Sequence, residues 1–336
     1  MKWRAIAVVA LAVLAVTGCG GGNPSKPSIT LYNGQHPELT AAMVSAFERA
    51  TGVSVGVRTN DGVVLADELL QEGGSSPADV YLTENSPELV NLSQHGLLAR
   101  LPGSILDQVP AADRSPSGTW VGVSLRVSSL VYDPARISRS QLPTSILDLA
   151  EPKWKGKVAI APLDSDFPPV VGAVIATHGA KAATSWLAGL KRNAAIYQDE
   201  ESVVAAVNRG DEAVGVINQY YWYRLRLETG VRAIRSALYY FPDGDAGSVV
   251  NVSGAGVLAS SHHRRDAERF VAFLVSRAGQ RLISHGDDYE YPVRPGVAPN
   301  PALPAFAQIP HTGISVTALG DDLPARQMIV HSGFGS

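Results

Sequence analysis

The chain has 336 residues, 45% of them hydrophobic, and a formal net charge of -3. That length is enough for two lobes with separate cores, and the charge gives no basic footprint for nucleic acid. The single cysteine, Cys19, excludes disulfides, thiolate metal sites, iron–sulfur clusters and a cysteine nucleophile from the rest of the chain.

Residues 1–18 read as a lipoprotein signal peptide. Lys2 and Arg4 make a positive start, and Ala5 to Val16 is an apolar stretch too short for a stable membrane anchor. Val16-Thr17-Gly18-Cys19 resembles a bacterial lipoprotein cleavage site, with Cys19 as the lipidated N-terminus. Residues 19–27, rich in glycine, read as a flexible tether. The expectation is an exported monomer, lipid-anchored at the outer face of the cytoplasmic membrane in the periplasm or at the cell surface.

Ser28 to Asn33 alternates as a first strand. Gly34-Gln35-His36 turns the chain, and Pro37 opens a helix whose Leu39, Met43, Phe47 and Ala50 share a face. A second strand at Val53 to Arg58 and a helix at Gly62 to Glu72 follow. A third strand, Ala78 to Leu82, leads to Thr83-Glu84-Asn85 and a helix from about Pro87 to His95. Trp120 to Ser124 and Ser129 to Tyr132 read as two strands, with Arg126 between them, carrying the chain from one lobe to the next.

Lys157 to Ala161 is a strand before the polar loop Asp164-Ser165-Asp166. Helices are expected at Pro169 to His178, Lys181 to Leu190 and Ser202 to Arg209, with Glu200 just ahead of the last. Ala213 to Ile217 is a buried strand. Asn218-Gln219-Tyr220-Tyr221 follows as a junction, then a helix from Trp222 to Thr229 stopped by Gly230. Val249 to Leu258 reads as a strand crossing between lobes, and Arg265 to Val275 as an amphipathic helix. Alternating strands and helices give an α/β fold with mostly parallel sheets.

Ligands of such sheets bind beyond the carboxyl ends of the strands. His36, Glu84, Asp164, Asp166, Tyr220 and Tyr221 all follow expected strands, which points to one shared site. Adjacent tyrosines point to opposite faces within a strand but converge at a strand-to-helix junction. There the helix N-terminus favours negative charge, and the expectation is a phenol pKa below its free value of about 10. Two phenolates and a carboxylate balance a trivalent cation, and a neutral imidazole adds a fourth donor. Hard oxygen donors with imidazole suit iron; zinc sites more commonly use cysteine or several histidines.

Tyr32-Asn33-Gly34-Gln35-His36, Ser76-Pro77-Ala78-Asp79-Val80-Tyr81 with Glu84, and Pro152-Lys153-Trp154-Lys155 carry a resemblance, as do Ile217-Asn218-Gln219-Tyr220-Tyr221-Trp222 and Phe270-Val271-Ala272-Phe273-Leu274. In that order they resemble the bacterial periplasmic ferric-iron-binding proteins, the solute receptors of ABC iron transporters. The resemblance implies a two-lobed clamshell with a hinge. Its lobes would be 28–125 plus 251–300 and 126–250 plus 301–336. It also implies ferric iron held by His36, Glu84, Tyr220 and Tyr221 and passed to a permease.

The chain departs from family members that complete the iron shell with phosphate. They have a small Ser-Gly-Ala loop where this chain has Asp164-Ser165-Asp166, and an asparagine where it has Glu200, while Asn218 keeps its place. Carboxylates there repel phosphate. Water, another anion such as carbonate bound by Arg126, or one of the acids themselves is expected to fill the remaining positions. The alternative function is a receptor for an organic ligand such as a polyamine, thiamine or a phosphonate, with the tyrosines stacking on it. No serine–histidine–acid motif, zinc helix motif or phosphate loop marks an enzyme.

Overall fold

The computed structural model describes residues 28–335. The expected signal peptide, Cys19 and the tether lie outside the described residues. Among the described residues no helix is long and apolar enough to cross a membrane.

Ten strands form one continuous mixed sheet: β1 (Ile29–Gly34), β2 (Val55–Thr59), β3 (Val80–Thr83), β4 (Trp120–Tyr132), β5 (Val158–Ile160), β6 (Ala194–Ile196), β7 (Val214–Asn218), β8 (Ala237–Tyr239), β9 (Val250–Val257) and β10 (Tyr291–Pro292). Their order is β2-β1-β3-β9-β4-β7-β5-β6, with β8 and β10 also paired to β4. The flanks are parallel, β1 with β2 and β3 on one side and β5 with β6 and β7 on the other. Antiparallel β4 and β9 join them.

β4 decides the architecture. Residues 120–127 pair with β9, and residues 128–132 pair with β7. One strand therefore serves both halves of the sheet, where the sequence suggests two strands. All 13 of its residues are buried, yet Ser124, Arg126 and Ser128 interrupt the apolar pattern. With a side-chain period of two they share one face. That polar face explains both the apparent break in the strand and the position of the site.

The elements that carry the site are held by ordinary local chemistry. The helix Pro37–Thr51 begins with Pro37 in the first turn and buries Leu39, Met43, Val44 and Phe47, spaced for one helical face. It ends at Gly52, whose φ of 71° suits glycine. Phe47 meets Phe270 edge-to-face at 5.1 Å. The helix Gly62–Glu72 is capped by Asp61, which accepts from the N–H groups of Val63 and Val64. The apolar residues of the β1-β2-β3 half and of the β5-β6-β7 half form separate main clusters.

Candidate metal centre

The carboxyl ends of β1, β3 and β7 converge with the loop after β5. Asn33 at the end of β1 shapes the first contribution: its Oδ1 accepts from the Gln35 N–H and the Thr40 hydroxyl. The Gln35 side chain accepts from the His36 N–H at 2.7 Å and donates to the Ser253 hydroxyl at 2.8 Å. That fixes the turn presenting His36. His36 Nε2 lies 3.2 Å from Oε1 of Glu84, one residue beyond β3.

The tyrosines come from the other half. The helix after β7 begins at Gln219, not at Trp222, so Tyr220 and Tyr221 belong to its first turn and Asn218 is the residue before it. Gln219 anchors that turn: its Oε1 accepts from the Val127 N–H at 2.6 Å, and its amide donates to the Tyr289 carbonyl at 3.1 Å. The tyrosine rings lie 4.1 Å apart, and the His36 ring meets Tyr220 edge-on at 5.0 Å. Tyr220 donates to Asp166 Oδ2 at 3.1 Å and Tyr221 to the same oxygen at 3.3 Å.

Arg126, fully buried on β4, ties the halves together. Its Nη2 donates to Asn85 Oδ1 at 2.9 Å and to Asp166 Oδ1 at 3.0 Å, and lies 3.6 Å from Glu84. Nη1 lies 3.7 Å from the buried Glu290. Asn85 also donates to the Ser165 carbonyl at 3.2 Å. The acids of the β5 loop therefore face inward. Asp166 meets both phenols and Arg126. Asp164 and Glu200 support it from behind: Asp164 accepts from the N–H groups of Asp166 and Glu200, and Glu200 accepts from that of Asn218.

The electrostatics follow from burial. Glu84's carboxyl is pushed up to about 8 by desolvation, against the pull of Arg126. Asp164 is pushed up to about 7 by burial and by neighbouring Asp166. Burial also works against ionised Asp166, but the Arg126 charge and hydrogen bonds from Arg126 and Tyr220 outweigh it and hold its carboxyl below the usual range. Burial lowers His36, leaving a neutral imidazole with a free lone pair. Both phenols are raised well above 10 by burial and by the nearby carboxylates. The expectation of a lowered phenol pKa is thus overturned: the helix N-terminus is outweighed by desolvation and by Asp166.

Four oxygen donors and one imidazole nitrogen gather here in two groups: the two phenols with Asp166, and Glu84 with His36 Nε2, with Arg126 Nη2 in reach of both Asp166 and Glu84. A small hard cation with bonds of ~2.0–2.1 Å in an octahedron needs adjacent donors ~2.9 Å apart. Within each group the observed separations of 3.1, 3.3 and 3.2 Å lie close to that. Among the described residues no three His, Cys, Asp or Glu side chains alone form a metal-holding group.

Of the other tyrosines, Tyr32 and Tyr81 are core residues. Tyr197 stands on the wall of a cavity of about 590 Å³ that opens beside Tyr221 and Arg224. Sequence reasoning missed Asn85, Gln219 and Glu290. Glu290 offered one hint, an acid set between Tyr289 and Tyr291-Pro292, which is an unusual place for a solvated residue.

Residues 75–310 match the family of bacterial extracellular solute-binding proteins. The Fe(3+)-binding periplasmic protein of Serratia marcescens is 38% identical over 298 residues, covering 89% of this chain and 88% of that one. The chain belongs to the bacterial periplasmic ferric-iron-binding proteins. Iron-bound HitA from Pseudomonas aeruginosa superposes with a TM-score of 0.87 at 38% identity, covering 91% of this chain and 99% of its own. A Trichodesmium protein solved with iron and citrate gives 0.79 at 29% identity, covering 91% and 99%. The mixed sheet joined through β4 and β9 is the two-lobed architecture of this family.

Proposed function

We propose that this protein captures ferric iron between its lobes and delivers it to an ABC-type permease for iron uptake, performing no reaction on its cargo. The observation that carries the proposal is the convergence of Tyr220, Tyr221, Asp166, Glu84 and His36 from both halves of the sheet. Both lobes contribute to one ion, so the ion favours the closed arrangement over the open one. The division into lobes at 28–125 plus 251–300 and 126–250 plus 301–336 belongs to this proposal. So do a lipid anchor at Cys19, retention at the outer face of the cytoplasmic membrane, and action as a monomer.

His36, Glu84, Tyr220 and Tyr221 are the proposed iron ligands, with Asp166 as a fifth. Two phenolates and two carboxylates carry four negative charges, matched by the ion's three and the one on Arg126. Asp166 already holds Arg126 and both phenol hydroxyls, the groups a synergistic anion would need. Phosphate is therefore not required: water completes the shell without adding charge, and a small anion such as carbonate would have to displace Asp166 from Arg126 and the phenols. The iron-bound and iron-and-citrate-bound relatives support iron as cargo. Inward-facing carboxylates count against a phosphonate, whose charge they repel, and the ferric-iron-binding relatives count against the organic-ligand alternative as a whole.

The test is a ferric titration followed in the visible range. A tyrosinate-to-iron absorbance that saturates at one equivalent is expected. No colour, together with binding of a polyamine, thiamine or a phosphonate, would reverse the proposal.

A further inference from the structure

His36 turns only one nitrogen toward the donors. Nε2 faces Glu84, while Nδ1 points the other way, toward Asp288 at 3.5 Å and Glu290 at 3.6 Å. Nδ1 is buried without a hydrogen-bond partner, and so is Glu290 Oε1. Unpaired buried polar atoms are costly, and here two face each other. Glu290 is itself completely buried. Its other oxygen is already occupied, accepting from the Ser124 hydroxyl and, at 3.4 Å, from the Gln35 amide. That leaves Oε1 facing two buried donors that lack hydrogen-bond partners, His36 Nδ1 at 3.6 Å and Arg126 Nη1 at 3.7 Å, and its two lone pairs can serve both.

The backbone gives a second, independent indication. Tyr289, immediately before Glu290, has a φ of 53°, a left-handed conformation that a bulky aromatic residue adopts only at an energetic cost. It is held there by the Gln219 amide on its carbonyl and by stacking against Tyr223 at 5.5 Å. Gln219 directly precedes the tyrosine pair. The strained turn therefore sets Glu290 in register with the same helix turn that presents the phenols.

We infer that Glu290 is a positioning residue for iron binding: it accepts the Nδ1–H of His36 and so reserves Nε2 for the metal. This rests on the proposed function. Metal-bound histidines generally give their other N–H to a carboxylate or carbonyl, which orients the ring and raises its basicity. Asp288 is as near but is partly open to water, so its carboxylate does not depend on His36 for a partner. Glu290 has no such outlet. The inference assigns a role to a residue that touches neither the iron nor the tyrosines.

The experiment uses histidine-labelled protein loaded with gallium(III), a diamagnetic stand-in for ferric iron, and read by nitrogen-15 NMR. In the wild type, the His36 Nε2 resonance should carry the metal shift, and the Nδ1 proton should exchange slowly with solvent. Glu290→Leu should lose that protected proton and bind ferric iron about 10–100-fold more weakly. Glu290→Gln, whose amide oxygen still accepts, should recover part of both. Metal on Nδ1, or a protected proton unchanged in Glu290→Leu, overturns the inference. So does loss of that proton in Asp288→Asn instead. If Glu290→Leu does not fold, an unshifted Nδ1 proton in Glu290→Gln overturns it equally. A wild type that takes up neither ion sinks the proposed function and this inference together, whereas uptake that Glu290 does not influence sinks only the inference.

Discussion

Tyr220 donates its hydroxyl to Oδ2 of Asp166 at 3.1 Å. The phenol and the carboxylate that would share an iron ion are thus already neighbours, joined by the proton that the metal must displace. Tyr221 reaches the same oxygen. Burial and carboxylates hold both phenols protonated, so a trivalent cation has to drive off two protons as it binds.

Removing either hydroxyl separates binding from folding. Tyr220→Phe and Tyr221→Phe each delete one hydrogen bond to a charged acceptor, worth about 1.5–3 kcal/mol, while Asp166 retains Arg126. Both variants should fold. Each should lose much of the visible absorbance and at least ~100-fold in ferric affinity, equivalent to about 2.8 kcal/mol. Undiminished colour in either variant would remove that phenol from the metal.

Asp166 should make iron binding independent of phosphate. Wild-type affinity is expected to change little when phosphate is added. Asp166→Ala opens an anion space beside Arg126, so its weakened iron binding should recover with phosphate or carbonate. Stability should also fall: losing one partner of a buried ion pair costs about 3–5 kcal/mol. Here Glu84 and Glu290 remain near Arg126 at 3.6 and 3.7 Å and should keep the loss toward the lower end. Equilibrium dialysis with and without phosphate decides it; a large phosphate-dependent gain in the wild type would refute the internal carboxylate.

The sequence made His36, Glu84, Asp166 and the tyrosine pair legible because each follows a strand, where a parallel α/β layer opens its site. The helix start was less clear: Gln219 and Tyr220 carry no capping signature, and the tertiary bond from Gln219 to the Val127 N–H replaces one. β4 reads as two strands because Arg126 and Ser128 break its apolar run. Asn85 and Glu290 were invisible because the contacts that bury them span 41 and 166 positions, to Arg126 and Ser124. No local pattern encodes such distances.

The titrating groups predict a stability maximum for the iron-stripped protein. Glu84 is raised from 4.5 to about 8, so the folded state holds its proton more tightly than the unfolded state. Its contribution is complete below 4.5 and is lost as pH rises through about 8. His36 is lowered from 6.5, so its contribution is present above 6.5 and is lost as pH falls below that. Thermal unfolding of stripped protein should therefore peak between these limbs, and Glu84→Gln should flatten the alkaline one. On the proposed function iron reverses the preference, since Glu84 would have to ionise to bind it. Loaded protein should release iron as acid protonates Glu84, His36 and the phenols. An alkaline limb unchanged in Glu84→Gln would show that Glu84 is not the group responsible, and tight iron binding at pH ~3, where free carboxyls are protonated, would count against the site.

Gly34 links the packing of the β1 turn to the position of His36. A Cβ there would lie 2.6 Å from the Gly62 Cα, at the start of the helix Gly62–Glu72, and backbone on both sides cannot yield cheaply. Gly34→Ala should cost about 1–3 kcal/mol as overpacking. By separating β1 from that helix it should also shift Gln35 and the histidine that Gln35 orients through a 2.7 Å bond. Gly52 provides the contrast. Its left-handed φ of 71° tolerates asparagine, and a Cβ there meets nothing within 4 Å. Gly52→Asn should leave iron affinity unchanged, whereas Gly34→Ala should reduce both melting temperature and affinity. Equal iron binding in the two variants would show that the close glycine contact serves stability alone.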